Sequence, residues 1–273
     1  MPKADLHTHS VYSDGTSSPR EVVIAAQKTG VGIFALADHD TVDGVLQAQQ
    51  ECEARHIPFV PAVEISTREH DHLHFLGLNV NIYDPQFAAF LAHNRQVRVE
   101  RIKKIIAQLQ AAGLNLTPED VFSRAPNTVS RAHVADALKQ KGIVPSRQEG
   151  FRRWLVPGQP GYVPSAGVSV AEAIRAIKAA GGLAVIAHPG LTQAVWNFPA
   201  WKEAGLDGLE VFYPAHTYTL KQELLKIARK YDLFATAGSD YHGPHSGRNS
   251  TPGMPVPQPY YDRLLSKLLK RSK

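Results

Sequence analysis

Two histidines one residue apart near the N-terminus, in Asp5-Leu6-His7-Thr8-His9-Ser10, are the first residues of this chain that could do chemistry. In an extended segment residues i and i+2 project from one face, so both imidazoles can grip one cation. Asp14, followed by Gly15, lies on the next loop and can bend back towards a second. Similar side chains recur along the chain in Asp38-His39-Asp40, Glu64, His74, His188-Pro189 and Asp240-Tyr241-His242. Imidazole and carboxylate without thiolate suit Mn²⁺, Zn²⁺, Fe²⁺ or Mg²⁺, and the residue types do not choose among them. His7, His9, Asp14, His39, Glu64, His74, His188, Asp240 and His242 exceed one coordination sphere. More than one ion is therefore expected, with a carboxylate such as Glu64 able to bridge neighbours. Clustered ions would generate hydroxide near neutral pH and stabilise charge on phosphoryl oxygens.

Nearly all of these residues follow, or sit in, a short apolar run rich in β-branched residues. The runs cover residues 4–6, 32–37, 59–63, 72–78, 183–187, 208–212 and 233–237. They alternate with helical patterns, which predicts βα units, a mainly parallel sheet and an α/β fold. In barrels built from such units the C-terminal strand ends face one basin, and the ligand-type residues fall there. The helices are punctuated. Ser18-Pro19-Arg20-Glu21 reads as an N-cap, a proline in the first turn and a capping-box glutamate, with Gly30 as the stop. Ser169-Val170-Ala171-Glu172 repeats the box and Gly181 closes that helix.

Between residues 85 and 164 the strand rhythm stops. A long helix is predicted over 85–112, a second opens at Thr117-Pro118-Glu119-Asp120, and a third runs over 130–141. The chain thus divides into a catalytic body of residues 1–84 and 165–273 and a helical insertion of residues 85–164 that caps the site and binds substrate. Residues 251–259 contain four prolines and must be irregular or extended, before a short helix over 260–269.

Composition narrows the classes. The chain has 273 residues, 43% hydrophobic and 20% charged, ordinary for a soluble globular protein. That length suits one large core with an inserted subdomain. No apolar run could span a membrane and the N-terminus has no apolar signal core, so a cytoplasmic location is expected. Cys52 is the only cysteine, which excludes intramolecular disulfides; it falls in a predicted helix over 42–55, where packing is its role. A net charge of +5 would suit an anionic substrate but decides little alone.

Taken together, His7-x-His9 with Asp14-Gly15, Asp38-His39-Asp40, Glu64, His74, His188-Pro189 and Asp240-x-His242 resemble the PHP (polymerase and histidinol phosphatase) family of the amidohydrolase superfamily. The similarity spans essentially the whole chain. It implies a distorted (β/α)₇ barrel with the nine residues above as metal ligands. Asp14, His39 and His242 would be the catalytic groups among them. It also implies three divalent ions, Mn²⁺ ahead of Zn²⁺, Fe²⁺ or Mg²⁺. In outline His7 and His9 share one ion, Glu64 bridges to the ion of His74, and Asp14 and His39 hold another. Val63-Glu64-Ile65-Ser66, His74-Phe75-Leu76-Gly77-Leu78-Asn79, Ser130-Arg131-Ala132-His133 and Gly161-Tyr162-Val163-Pro164 are similar to a narrower group. That group contains the TrpH/RNase AM exoribonucleases and the 3′,5′-nucleoside bisphosphate phosphatases.

The insertion offers an anion site. Arg98 and Arg101 are three apart and share a helix face, flanked by Arg95, Lys103 and Lys104. Ser130 as an N-cap places Arg131 and His133 in a first helical turn, where free N–H groups favour phosphate and cations are disfavoured. An arginine there calls for an anion to meet it. In the resembling enzymes this region contacts the nucleotide, so Arg98, Arg101, Ser130, Arg131 and His133 are the expected substrate contacts. The implied partner is a small nucleotide or a short 5′-phosphorylated oligonucleotide, RNA 5′ ends included, with no obligate protein partner. The implied reaction removes the 3′-phosphate of a 3′,5′-bisphosphate or releases nucleotides from 5′-phosphorylated oligonucleotides. Histidinol phosphatase activity and a non-catalytic metal-binding module are the alternatives. Three features stay open: Glu210, a charge in a core strand that needs a partner; Glu69-His70-Asp71-His72, either metal-adjacent or a polar strand edge; and Tyr162 and Arg248, which could meet base or phosphate.

Overall fold

The structure, a computed structural model, describes residues 1–125, 127–248 and 251–269. Residue 126 of the expected insertion, and residues 249–250 and 270–273 of the expected body, lie outside them. The first half of the body runs β1 (Lys3–Asp5), α1 (Pro19–Lys28), β2 (Val31–Phe34), α2 (Val45–Ala54), β3 (Ala62–Ser66) and β4 (His74–Leu78). Four helices follow: α3 (Pro85–Ala111), α4 (Pro118–Phe122), α5 (Arg131–Gln140) and α6 (Arg147–Gly150), then a π-helical turn, Phe151–Leu155. The chain returns through α7 (Val170–Ala179), β5 (Leu183–Ile186), a 3₁₀ segment (Pro189–Val195), α8 (Phe198–Ala204), β6 (Gly208–Phe212), α9 (Tyr218–Lys230) and β7 (Phe234–Ala237). It ends with β8 (Met254–Pro255) and α10 (Gln258–Leu268).

Local chemistry sets the helix ends. Ser18 and Ser169 close capping boxes with Glu21 and Glu172, as expected, and Thr117 does so with Asp120. At Ser130 the third helical residue is His133, whose ring closes the box in place of a carboxylate.

Each of the seven predicted runs overlaps a strand, though β1 and β2 start one residue early and β3 shares only residues 62–63 with its run. The strands form two sheets, β2-β1-β8 and β3-β4-β5-β6-β7, which single parallel bridges join at both edges. Phe34 meets Phe59 and His39 meets Glu64 on one side, and Thr8 meets Tyr241 on the other. The fold is the expected α/β one, but its sheets do not close into one continuous ladder. The expectation of a mainly parallel sheet needs correction at β4, which runs antiparallel to both β3 and β5. A parallel neighbour needs a crossover of a dozen or more residues, and only residues 67–73 separate β3 from β4.

Strands β5, β6 and β7 are buried along their whole length, as expected for strands covered on both faces. Their side chains pack with α7, α9 and α10 in one large apolar cluster that includes Leu6, Ile33, Phe75, Ile174, Trp201 and Leu224. Residues of α3 to α5, among them Ile102, Ile105, Leu109, Val134 and Leu138, pack in a cluster of their own. Cys52 is fully buried in a third cluster, and burial pushes its thiol up to about 12.

Candidate metal centre and substrate cavity

The strand ends gather the ligand-type residues. The segment carrying His7 and His9 leaves β1 beside the segment leaving β7, tied by Asp240 N to His7 O (2.9 Å) and His9 N to Tyr241 O (2.8 Å). His39 bridges to Glu64 across the junction between the two sheets. His188 lies two residues past the end of β5. His74 is the first residue of β4 and pairs with Ser66, the last of β3. Because β4 is antiparallel, its start lies on the rim where its neighbours end. The Asp14 loop is folded back by Gly15, whose N–H reaches Ser10 O at 3.0 Å. A Cβ at Gly15 would stand 2.6 Å from His9 O, so a side chain there would displace the loop.

The donor atoms converge in four groups, each within 4.8 Å: His9–Asp14–His39–His242, His7–His9–Asp240, His7–Glu64–His188 and His39–Glu64–His74. All nine residues expected from the sequence take part, and Glu64 belongs to two groups. Five imidazoles surround its carboxylate, at 3.3 Å (His7 and His9), 3.0 Å (His39), 2.9 Å (His74) and 3.1 Å (His188). Proximity does not satisfy them. His7 Nε2, His9 Nε2, Asp14 Oδ1, His39 Nδ1, Glu64 Oε2 and His188 Nδ1 are buried without a hydrogen-bond partner. Buried polar atoms left unpaired are costly and rare. Orphaned N and O donors collected at one place are what divalent cations require, so the donor set fits metal ions.

The charges reinforce one another. Burial alone would raise Glu64 and Asp14. Histidines overrule it, chiefly His39, His7 and His74 at Glu64 and His242 and His39 at Asp14, and hold both carboxyls well below their usual range. Burial would likewise lower His7, but Glu64 and Glu210 raise it well above the ordinary value. His242 is pulled down to about 4, first by burial and then by Arg248, so it is neutral at pH 7. Its Nδ1 lies 2.8 Å from the carbonyl oxygen of Asp240. That oxygen can only accept, so the proton sits on Nδ1 and Nε2 keeps its lone pair, 3.1 Å from Asp14 Oδ1. Asp40, His188 and Asp240 adopt positive φ values of 52°, 29° and 53°. Strained backbone of this kind collects at functional sites.

A cavity opens from this centre towards the insertion. Asp14, His39 and His74 line it on one side, and Arg98, Arg101, Ser130 and Arg131 on the other. A second cavity of about 530 Å³ opens past Glu64, His188 and Asp240 to Leu191, Tyr213 and Arg248.

Family models match residues 5–142 as a PHP domain. A 3′,5′-nucleoside bisphosphate phosphatase of Chromobacterium violaceum is 33% identical over 99% of both chains. The chain belongs to the PHP family. A 5′-3′ exoribonuclease of Haemophilus influenzae is 36% identical over 89% of this chain and 90% of its own. An amidohydrolase structure from Chromobacterium violaceum, solved with sulfate bound and no metal, superposes with a TM-score of 0.86 at 33% identity, covering 97% of this chain and 96% of that one.

In this PHP protein the arginines are not a solvated face. Arg98 donates through Nε to Asp40 Oδ2 at 2.6 Å, and Asn94 Nδ2 donates to the other oxygen at 2.9 Å. Arg101 Nη2 reaches Asp71 Oδ1 at 2.6 Å, and Arg131 Nη1 reaches Asp71 Oδ2 at 3.1 Å. The anion that Arg131 called for is therefore Asp71 in this structure. Arg131 also lies over the Phe151 ring, 5.7 Å from its centroid. Arg95 donates to Asp40 O, whereas Lys103 is spent on Glu100 at the surface. Ser130 Oγ bonds Asp14 Oδ2 at 3.2 Å, and Ser130 N donates to His133 Nδ1 at 3.0 Å. His133 is absent from the cavity lining. Sequence reasoning gave no role to Asp40 and left Asp71 open. The Asp38-His39-Asp40 triplet was a usable signal for the first. Nothing in the sequence pairs Asp71 with residues 30 and 60 positions away.

Proposed function

We infer that this chain is a metal-dependent phosphoesterase acting on a phosphoester beside a 5′-phosphorylated nucleotide. Its substrates are 3′,5′-nucleoside bisphosphates, which lose the 3′-phosphate, and 5′-phosphorylated oligonucleotides, which lose their first nucleotide. One observation carries the reading: a single cavity is lined both by metal-binding donors and by Arg98, Arg101 and Arg131 of the insertion. Planar guanidinium groups recognise phosphate in bidentate fashion, and two phosphates on one ribose need two such sites close together. Relatives covering 89% and 99% of the chain are an exoribonuclease and a nucleoside bisphosphate phosphatase, which favours this substrate class over histidinol phosphate.

His7, His9, Asp14, His39, Glu64, His74, His188, Asp240 and His242 would hold the ions, three by resemblance to the family, with Mn²⁺ the first choice. Ions bound there lower the pKa of water towards neutrality and offset charge on the phosphoryl oxygens. Arg98, Arg101 and Arg131 grip the 5′-phosphate and so fix the scissile phosphorus over the donor cluster. Asp14 lies 3.1 Å from His242 Nε2 and 3.9 Å from His39 Nε2, and these three would orient the attacking water. Ser130 holds Asp14 in place through its hydroxyl.

The Mn²⁺-loaded protein should be assayed on adenosine 3′,5′-bisphosphate, on short 5′-phosphorylated oligonucleotides and on histidinol phosphate. High kcat/KM on the first two and little on the third is expected. Arg131→Ala should cost about 10²-fold on substrates with a 5′-phosphate and far less on p-nitrophenyl phosphate. Equal losses on both would overturn the role given to the arginines, and no hydrolysis of any phosphoester would leave a non-catalytic metal module.

A further inference from the structure

Glu210 is a fully buried carboxylate in the middle of β6, an otherwise apolar strand. Its ion-pair partner among the described residues is His7 alone. Oε1 and Oε2 lie 3.2 and 3.4 Å from His7 Nδ1, and Oε2 accepts the backbone N–H of His188 at 2.8 Å. His7 and His188 belong to one donor group, completed by Glu64. We propose that Glu210 is a positioning residue for the metal donors His7 and His188, by fixing the tautomer of the first, which also serves the His7–His9–Asp240 group, and the backbone of the second. The proposal rests on the metal-centre reading above.

A carboxylate only accepts, so the His7 nitrogen facing it carries the proton. Nε2, one of the orphaned buried donors, is then left with its lone pair for an ion. A metal-binding histidine usually donates its other N–H to an oxygen in this way, which fixes the ring and raises its basicity. His188 has φ of 29°, a left-handed backbone that a non-glycine residue keeps only when it is held. The bond from its N–H to Glu210 is a hold of that kind. The end of β7 makes room for the pair. A Cβ on Gly238 would lie 2.2 Å from Glu210 Oε1 and 2.3 Å from His7 Cβ, so a side chain there would part them. Glu210 joins none of the four donor groups, and both its oxygens face His7 Nδ1.

Glu210→Gln is the discriminating variant. Its amide keeps one acceptor, and the His188 N–H, which can only donate, takes it. The amide NH₂ then faces His7 Nδ1, which must offer a lone pair, and the proton moves to Nε2, where it blocks the ion. Calorimetric titration with Mn²⁺ should show about 10- to 100-fold weaker binding where His7 is a donor, with the groups that lack His7, His9–Asp14–His39–His242 and His39–Glu64–His74, unchanged and the circular dichroism spectrum preserved. Uniform weakening of all sites, or none, would overturn the proposal. A second measurement needs no variant. In Zn²⁺-loaded protein labelled with ¹⁵N-histidine, His7 should coordinate through Nε2 and keep a slowly exchanging Nδ1–H. Coordination through Nδ1 would defeat the idea even if Glu210→Gln failed to fold. Wild-type protein that bound neither ion would instead bring down the metal reading itself.

Discussion

Glu64 is the residue on which the centre turns, because it belongs to two of the four donor groups and five imidazoles surround it. His74 belongs to one. Glu64→Ala should therefore lose more than one equivalent of bound Mn²⁺, and His74→Ala about one. The first substitution should also cost kcat by at least about 10²-fold. Metal content after gel filtration reads the difference, and equal losses would show that Glu64 does not bridge. At this scale the sequence was most legible where residue types are chemically scarce. Histidines and carboxylates in or after apolar runs, with Asp14 on the first loop, marked the nine residues that the fold gathers. Residues that act through a distant partner were harder to see. Glu210 showed only as a charge in need of a partner, because His7 stands 203 positions away.

The element that joins body to insertion is the tip of the β3–β4 hairpin. Asp71 sits there, between Arg101 of α3 and Arg131 of α5. Burial would raise this carboxyl, but Arg131 and then Arg101 hold it below its usual range. The sign follows. A depressed folded-state pKa contributes stability above the unfolded pKa, and that contribution is lost as pH falls through the folded value. Wild type should thus exceed Asp71→Asn in stability by about 2 kcal/mol at pH 7, with the gap closing below about pH 4. Urea unfolding of both proteins across that range checks it; a gap independent of pH would mean that the ion pairs contribute nothing. Helix ends were legible because caps and stops are local, as at Ser18, Ser169 and Gly181. The direction of β4 was not. An apolar run reads the same in either direction, and only the length of the loop before it hinted at a hairpin.

Across the whole molecule, two apolar clusters, one in the body and one among α3 to α5, meet around a centre rich in buried charge. Stability should therefore depend on metal more than the size of either core suggests. A ligand that binds only the folded chain adds about 2.7 kcal/mol at one hundred times its Kd, which for a protein of this size is a rise in Tm of roughly 5–10 °C. That gain must vary with pH. Burial opposes a charge on His9, but Asp240 and Glu64 lift it to about 9, and Glu64 and Glu210 raise His7 well above its ordinary value. Without ions both rings are protonated at pH 7, and each must shed its proton before Nε2 can bind. Metal binding then releases protons, and apparent affinity climbs with pH until these groups have titrated. Calorimetric scans with Mn²⁺ and with chelator should accordingly show a larger Tm difference at pH 8.5 than at pH 6.5. Titrations in two buffers of different ionisation enthalpy should count close to two protons released. A Tm difference that shrank as pH rose would mean that the histidines are not the groups that exchange protons for metal.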